Sequence, residues 1–372
     1  MMQTLPPLIA DAAALSVAGA GLVRYEVGPA LVGAGADATV VIVAPGDHPR
    51  VSGVQDSTKV LLRGEMGPAL APRFAFEGAP PLHVFAGLDQ GCLPLGTARC
   101  RGSSASAPDH LQHAELELDQ PLSRPVLDAV RPVPAPGPVP GVEWVDLVPV
   151  DPIRALESFV LGWFPAEETA TATADSKGTA GEPDGRLPEA LTAFHHLARL
   201  RPAIHRFHDP VLRRPEHATG PLGDRLVFAE WAGASMDWSI PWPPQGPDAE
   251  DPPVWHTEDP RNEDAETIPE KEPLSRFLLQ FTLHGALLAA PYHAATYVMP
   301  TARLGVLWDA LRPVPLSPFL PTYQAVEFYV APGLLVAVSR DEHEATVSFG
   351  ALHRGILTPL LEHGFRWIRF DG

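Results

Sequence analysis

Cysteine is nearly absent from this chain, with Cys92 and Cys100 the only two among 372 residues. So few cannot staple a chain of this length, and the fold must rest on hydrophobic cores. Two reduced thiols in a cytoplasmic setting are expected, a Cys92–Cys100 bridge being the alternative. Basic residues are in deficit, with 27 Lys and Arg against 45 Asp and Glu and a formal net charge of −18. That balance argues against wrapping a phosphate backbone and against anionic membrane surfaces. It favours solubility and attraction to a basic partner. Long apolar runs are missing too. The opening MMQTLPPLIADAAALSVAGAGL lacks a basic n-region and is broken by Asp11, so it does not read as a secretory signal. After it no stretch approaches the roughly 18 apolar residues that a membrane span needs.

Signatures of chemistry are lacking in the same way. There is no GxxxxGK. The GAGADA of residues 33–38 loosely matches a dinucleotide loop, but ATVVIVA follows it, a strand where that site requires a helix. Ser235 in GASMD lacks the second glycine of a nucleophile elbow. His205 and His208 have the spacing of two ligands on one helical face, but no third ligand accompanies them, and Pro202 separates them from His195 and His196. No catalytic residue, cofactor or metal ligand is therefore expected.

The chain does contain ample core material, 45% hydrophobic residues, and a length that suits two domains. Residues 20–120 show short strand patterns at Leu22–Val27, Ala38–Ala44, Lys59–Arg63, Leu82–Ala86 and Gln112–Leu118, separated by turn signals. In the last of these Ala114, Leu116 and Leu118 alternate with His113, Glu115 and Glu117, the mark of a half-buried strand. Residues 1–130 thus read as a small β-rich domain with no assigned role. RPVPAPGPVPG (131–141) is proline-rich and opens a linker spanning 131–150, an extended stiff spacer.

A second domain, 151–372, opens with Asp151-Pro152, a helix N-cap followed by proline at the first helical position. Ile153, Leu156, Phe159, Val160 and Trp163 follow at helical spacing. Residues 165–186 are small and polar and read as a loop, and a second helix begins near Pro188. RLVFAEW, SMDWSIP and PVWH (from Arg225) read as strands, followed by a helix from Pro273 that Pro291 stops. Late strands fall at Val326–Val330, Leu334–Ser339, Ala345–Phe349 and Arg366–Phe370, with a tight turn at Pro332-Gly333 and a helix end at Gly364. Strands and helices do not alternate as βαβ, so the fold class is α+β.

This order of elements carries a resemblance. LPEALTAFHHL (187–197), LVFAEWAG (226–233), MDWSIP (236–241), DPPVW (251–255) and PLSRFLLQ (273–280) resemble the succession of motifs in the SUKH superfamily, the Smi/Knr-like proteins. The tail VEFYVAPGLLVAV with FRWIRF is similar to bacterial members. The match spans about 220 residues, with Trp231-Ala232 where the family usually has a polar pair and Pro359 inside the last helix. The resemblance implies a mixed sheet backed by helices, no cofactor and no reaction. Bacterial members of this kind commonly bind and neutralise a toxin, and others act as adaptors.

Acidity concentrates where such a partner would dock. Residues 1–142 carry 9 basic and 13 acidic groups, the remainder 18 and 32. Residues 246–272 alone hold 10 acidic and 2 basic side chains, with Trp255 and His256 among them and Trp238 and Trp242 just upstream. Carboxylates steer a cationic partner, and tryptophans supply anchor area. Trp242, Glu250, Trp255, His256, Glu258, Asp259, Glu263 and Asp264 are the candidate contact residues. Asp251 and Trp238 read as structural. The alternative is a solvated acidic loop whose tryptophans face the core. The expected function is a bacterial immunity protein that occludes a basic toxin. A regulatory adaptor, or an enzyme housed in the N-terminal domain, are the competing readings.

Overall fold

A computed structural model describes residues 5–46, 52–75, 79–107, 110–132, 138–166, 187–206, 211–220, 223–231, 236–258, 260, 265–319 and 325–372. Residues 167–186 of the loop expected over 165–186, the centre of the proline-rich stretch (133–137), His208, Ser235, Asp259, Glu263 and Asp264 lie outside the described residues.

The N-terminal part is one eight-stranded sheet. Its strands are β1 (Val23–Val27), β2 (Ala30–Ala34), β3 (Thr39–Val43), β4 (Gly53–Val54), β5 (Lys59–Met66), β6 (Leu82–Leu88), β7 (Gly91–Ala107) and β8 (His110–Leu118), in the order β1-β2-β3-β6-β7-β8-β5-β4. Only β3 and β6 pair in parallel among them. Ala114, Leu116 and Leu118 of β8 point into its core, as their alternation requires. β3 is apolar on both faces. Val41 and Val43 enter that main core, while Val40 and Ile42 meet helix α1 (Asp11–Ser16) on the other side. The sheet curls until the β1–β2 turn abuts β5. At that point Gly28 has φ +57° and a Cβ would lie 2.4 Å from the Arg63 carbonyl oxygen, so only glycine fits. GAGADA falls in the β2–β3 hairpin, a strand–turn–strand. Cys92 and Cys100 are buried free thiols. Burial, with Asp11 accepting from its Sγ at 3.2 Å, pushes Cys92 up to about 12, which keeps it an inert thiol.

Helix α2 (Arg124–Val130) docks this sheet onto the C-terminal part. Arg354 is fully buried and donates to Asp128 of α2 at 2.5 Å and to the carbonyl of Arg131. Arg131, also fully buried, donates to the Gln55 carbonyl, and Arg124 donates to the carbonyl of Gly372 at 2.8 Å. Burial lowers the pKa of both buried guanidinium groups.

The second body begins earlier than Asp151. Trp144, Val145 and Val148 are buried in its core, Trp144 against Phe159 at 5.2 Å between ring centroids, so the later half of the expected linker is packed structure. Asp151 caps α3 (Pro152–Trp163) as its sequence predicts, accepting from the Arg154 amide at 3.0 Å. Helices α3, α4 (Glu189–Leu200) and α5 (Leu274–Ala289) lie between two sheets. One is antiparallel and five-stranded, from β9 (Val211–Gly220), β10 (Gly223–Trp231), β11 (Met236–Pro241), β12 (Pro253–Glu258) and β13 (Thr267–Pro273), in the order β13-β12-β11-β10-β9. The other has seven strands, β14 (Tyr292–Thr296), β15 (Met299–Pro300), β16 (Arg312–Pro313), β17 (Val326–Ala331), β18 (Leu334–Arg340), β19 (Glu344–Ala351) and β20 (Trp367–Phe370). β18 is apolar over Leu334–Val338 because both faces are covered there. Leu335 and Ala337 meet the helical core, while Leu334, Val336 and Val338 meet a separate C-terminal cluster. Pro332-Gly333 makes the two-residue turn between β17 and β18, and Gly364 ends the last helical turn at φ +62°. The architecture is α+β, and no described helix is long and apolar enough to cross a membrane.

Candidate binding face

The five-stranded sheet has an inner face toward α5 and an outer face turned away from it. Antiparallel partners share a face, so the register assigns each residue. Leu226 pairs with Ile240, Ala229 with Trp238, and Trp238 with His256, all on the inner side. Val227 pairs with Ser239, Glu230 with Asp237, Asp237 with Thr257, and Thr257 with Thr267, all on the outer side.

A β-bulge between Val227 and Ala229 decides where Glu230 goes. Strict alternation from Leu226 would send Glu230 inward. The extra residue lets Phe228 and Ala229 both enter the core and turns Glu230 outward beside Asp237.

The inner face explains the motif residues. Trp238 donates its indole N–H to Glu270 at 2.8 Å, and His256 Nδ1 lies 3.0 Å from the same Glu270 oxygen. Asp251 accepts from both the amide (2.8 Å) and the hydroxyl (2.7 Å) of Ser275, capping the first turn of α5 from a distant segment. The DPPV and LS motifs are therefore two halves of one helix cap.

The candidate contact residues separate on this frame. Trp242 is buried in the helical core with its ring 5.8 Å from His217. His256 is buried beneath the sheet on Glu270. Neither side chain is available to a partner. Both were candidates because they stand inside an acidic stretch, and register, not composition, puts them inward. Trp255 lies on the outer face and is half-buried, while Glu250 and Glu258 are exposed. Part of the supposed acidic loop is strand, since β13 supplies Glu270 to the core.

Sequence reading missed the polar cluster at the centre of the outer face. Arg225 and Asp237 are each only 8% exposed, and Ser239 and Thr257 are buried. The Arg225 guanidinium reaches from β10 across β11 to β12 and donates through Nη1 to Thr257 Oγ1 at 2.9 Å and toward Ser239 Oγ at 3.5 Å. Thr257 Oγ1 also lies 3.2 Å from Thr267 Oγ1. Asp237 Oδ1 and Arg225 Nε find no hydrogen-bond partner among the described residues. Burial raises the pKa of Asp237, opposed by Arg225 and by a hydrogen bond from Thr257, and Glu230 raises it further. The signal in the sequence was Asp237 and Ser239 alternating with Trp238 and Ile240, polar residues where a two-sided strand would be apolar.

Two other arrangements carry less chemistry. In the N-terminal sheet Ser104 Oγ lies 2.6 Å from His113 Nδ1, beside an open groove of about 640 Å³ lined by Arg63, Glu65 and His113. No carboxylate contact to His113 is present among the described residues, so nothing orients it as a base. The described residues also bring no three metal-ligating side chains together.

No protein-family model matches the chain, and neither a curated protein nor a solved structure matches it.

Proposed function

We propose that the protein binds a basic protein partner through residues 151–372 and neutralises it by occlusion, as the SUKH resemblance implies for a bacterial immunity protein acting on a toxin in the cytoplasm. Binding is stoichiometric and involves no turnover. The observation that carries this reading is the outer sheet face. Exposed Glu216 and Glu230 share this face with half-buried Trp255 and the Asp237 cluster, while exposed Glu258 and Glu266 stand at one end of the sheet in the opposite register. Clustered carboxylates accelerate encounter with a cationic surface, and an aromatic on the same face supplies contact area.

The test begins with capture of the partner from the native host, followed by its association kinetics and its activity when bound. Reversing Glu258, Asp259, Glu263 and Asp264 to Lys is expected to slow association about tenfold or more at low salt, with the gap closing at high ionic strength. An unchanged rate and salt dependence removes the acidic segment as the docking face. A captured partner that keeps full activity in the complex ends the neutralisation reading.

A further inference from the structure

We propose that Glu230 and Asp237 form a socket for an arginine side chain of the partner protein. This deepens, and rests on, the protein-binding reading above. Three observations carry it.

First, two carboxylates stand directly opposite each other on adjacent strands. Cross-strand partners hold their Cβ atoms about 5 Å apart, and like charges there are destabilising. The bulge in β10 is what creates this juxtaposition, since without it Glu230 would not share a face with Asp237.

Second, Asp237 is buried yet one of its carboxylate oxygens, Oδ1, accepts nothing among the described residues. An orphaned buried acceptor costs stability unless something supplies a donor. The nearby cation, Arg225, lowers the cost of the Asp237 charge but directs its Nη1 elsewhere, and its Nε, like Oδ1, has no partner among the described residues. Its Nη1 donates to Thr257 and toward Ser239, and Thr257 in turn bonds Asp237. Arg225 therefore fixes the cluster and leaves Oδ1 buried without a donor among the described residues, just beneath exposed Glu230. Lys271 lies four residues along β13 from Thr267, toward the other end of the sheet.

Third, the surroundings select the occupant. Glu216, paired with outward-facing Val227, is exposed on the same face, and Glu258 and Glu266 add negative charge at the end of the sheet, so an approaching cation is favoured. Two carboxylates side by side match the fork of a guanidinium, which can donate to both at once, better than the single point charge of an ammonium. Trp255, half-buried on the same face, offers a ring for the planar guanidinium.

The test uses the full chain and two labelled peptides, nona-arginine and nona-lysine, read by fluorescence anisotropy. Wild type is expected to prefer the arginine peptide. Asp237→Asn and Glu230→Gln should each weaken it about tenfold and erase the preference over lysine. Equal weakening of both peptides, or affinity within twofold of wild type, overturns the socket. If the four-residue loop reversal weakens both peptides while Asp237→Asn does nothing, the acidic docking surface survives and the socket alone fails. If neither peptide binds wild type, both fail. Thermal unfolding separates a socket from a structural ion pair. A socket residue burdened by its own charge predicts that Asp237→Asn raises Tm at neutral pH, whereas a counter-ion that Arg225 requires predicts a fall, which would also overturn the proposal.

Discussion

His284 gives the sharpest test of how the core was assembled. It sits on α5, with its ring 5.6 Å from Trp231 and 5.6 Å from Phe319. Neither ring nitrogen has a hydrogen-bond partner among the described residues. Burial among apolar groups disfavours the imidazolium and lowers its pKa from 6.5 to about 4. The unfolded chain therefore binds this proton more tightly than the folded one. The stability held by neutral His284 is present above pH 6.5 and is lost as pH falls from there toward 4. A shift of this size corresponds to about 3 kcal/mol in full, and about 2 kcal/mol of it is gone by pH 5. The perturbation is His284→Phe, which keeps an aromatic ring in the nest and removes the titration. Urea unfolding of both proteins between pH 7.5 and 4.5 gives the difference curve directly, because every other group titrates in both. The variant is expected to be at least as stable at neutral pH, since two buried unpartnered nitrogens become carbon. Its advantage should then grow by about 2 kcal/mol on acidification to pH 5. A flat difference curve would refute the claim that His284 is held neutral by its surroundings.

Two further outcomes follow from the contacts that join distant segments. Asp251→Ala removes two hydrogen bonds to Ser275 and should cost about 1–2 kcal/mol in chemical denaturation, with Asp251→Asn costing less; no loss would mean that α5 does not depend on this cap. Arg354→Met keeps an unbranched stem and deletes the donors to Asp128 and to the Arg131 carbonyl. It should cost about 2 kcal/mol and, because the two bodies have separate cores, split calorimetric unfolding into two transitions. A single unshifted transition would show that this arginine does not couple the bodies.

Much of the architecture was legible because the pattern and the environment agree. The alternation in β8, the capped start of α3, the apolar stripe of α5 and the Pro332-Gly333 hairpin each carry a local physical signal that tertiary packing leaves intact. β9 and β13 were not legible. Both are polar and contain proline, Pro215 and Pro269, which local reasoning takes as loop. They are the two edges of their sheet, where a missing backbone donor is tolerated, and edge position is a property of the assembled sheet alone. β7 hides its 17 residues behind Pro94, Gly96 and a serine-rich run for a different reason, since pairing with β6 and β8 on either side absorbs these residues at bulges.

The candidate site divides along the same line. Composition determined that the chain is acidic, that its acids crowd into residues 246–272, and that tryptophans stand among them. Those facts are sums over residues and need no coordinates. Which side chains face outward was decided only by the fold. Register turned Trp242 and His256 into the core, and one extra residue in β10 swung Glu230 out beside Asp237. Side chains alternate with a period of two, so a single inserted residue reverses everything beyond it. A one-residue insertion visible only in the pairing of two strands thus decides whether Glu230 enters the core or stands on the outer face.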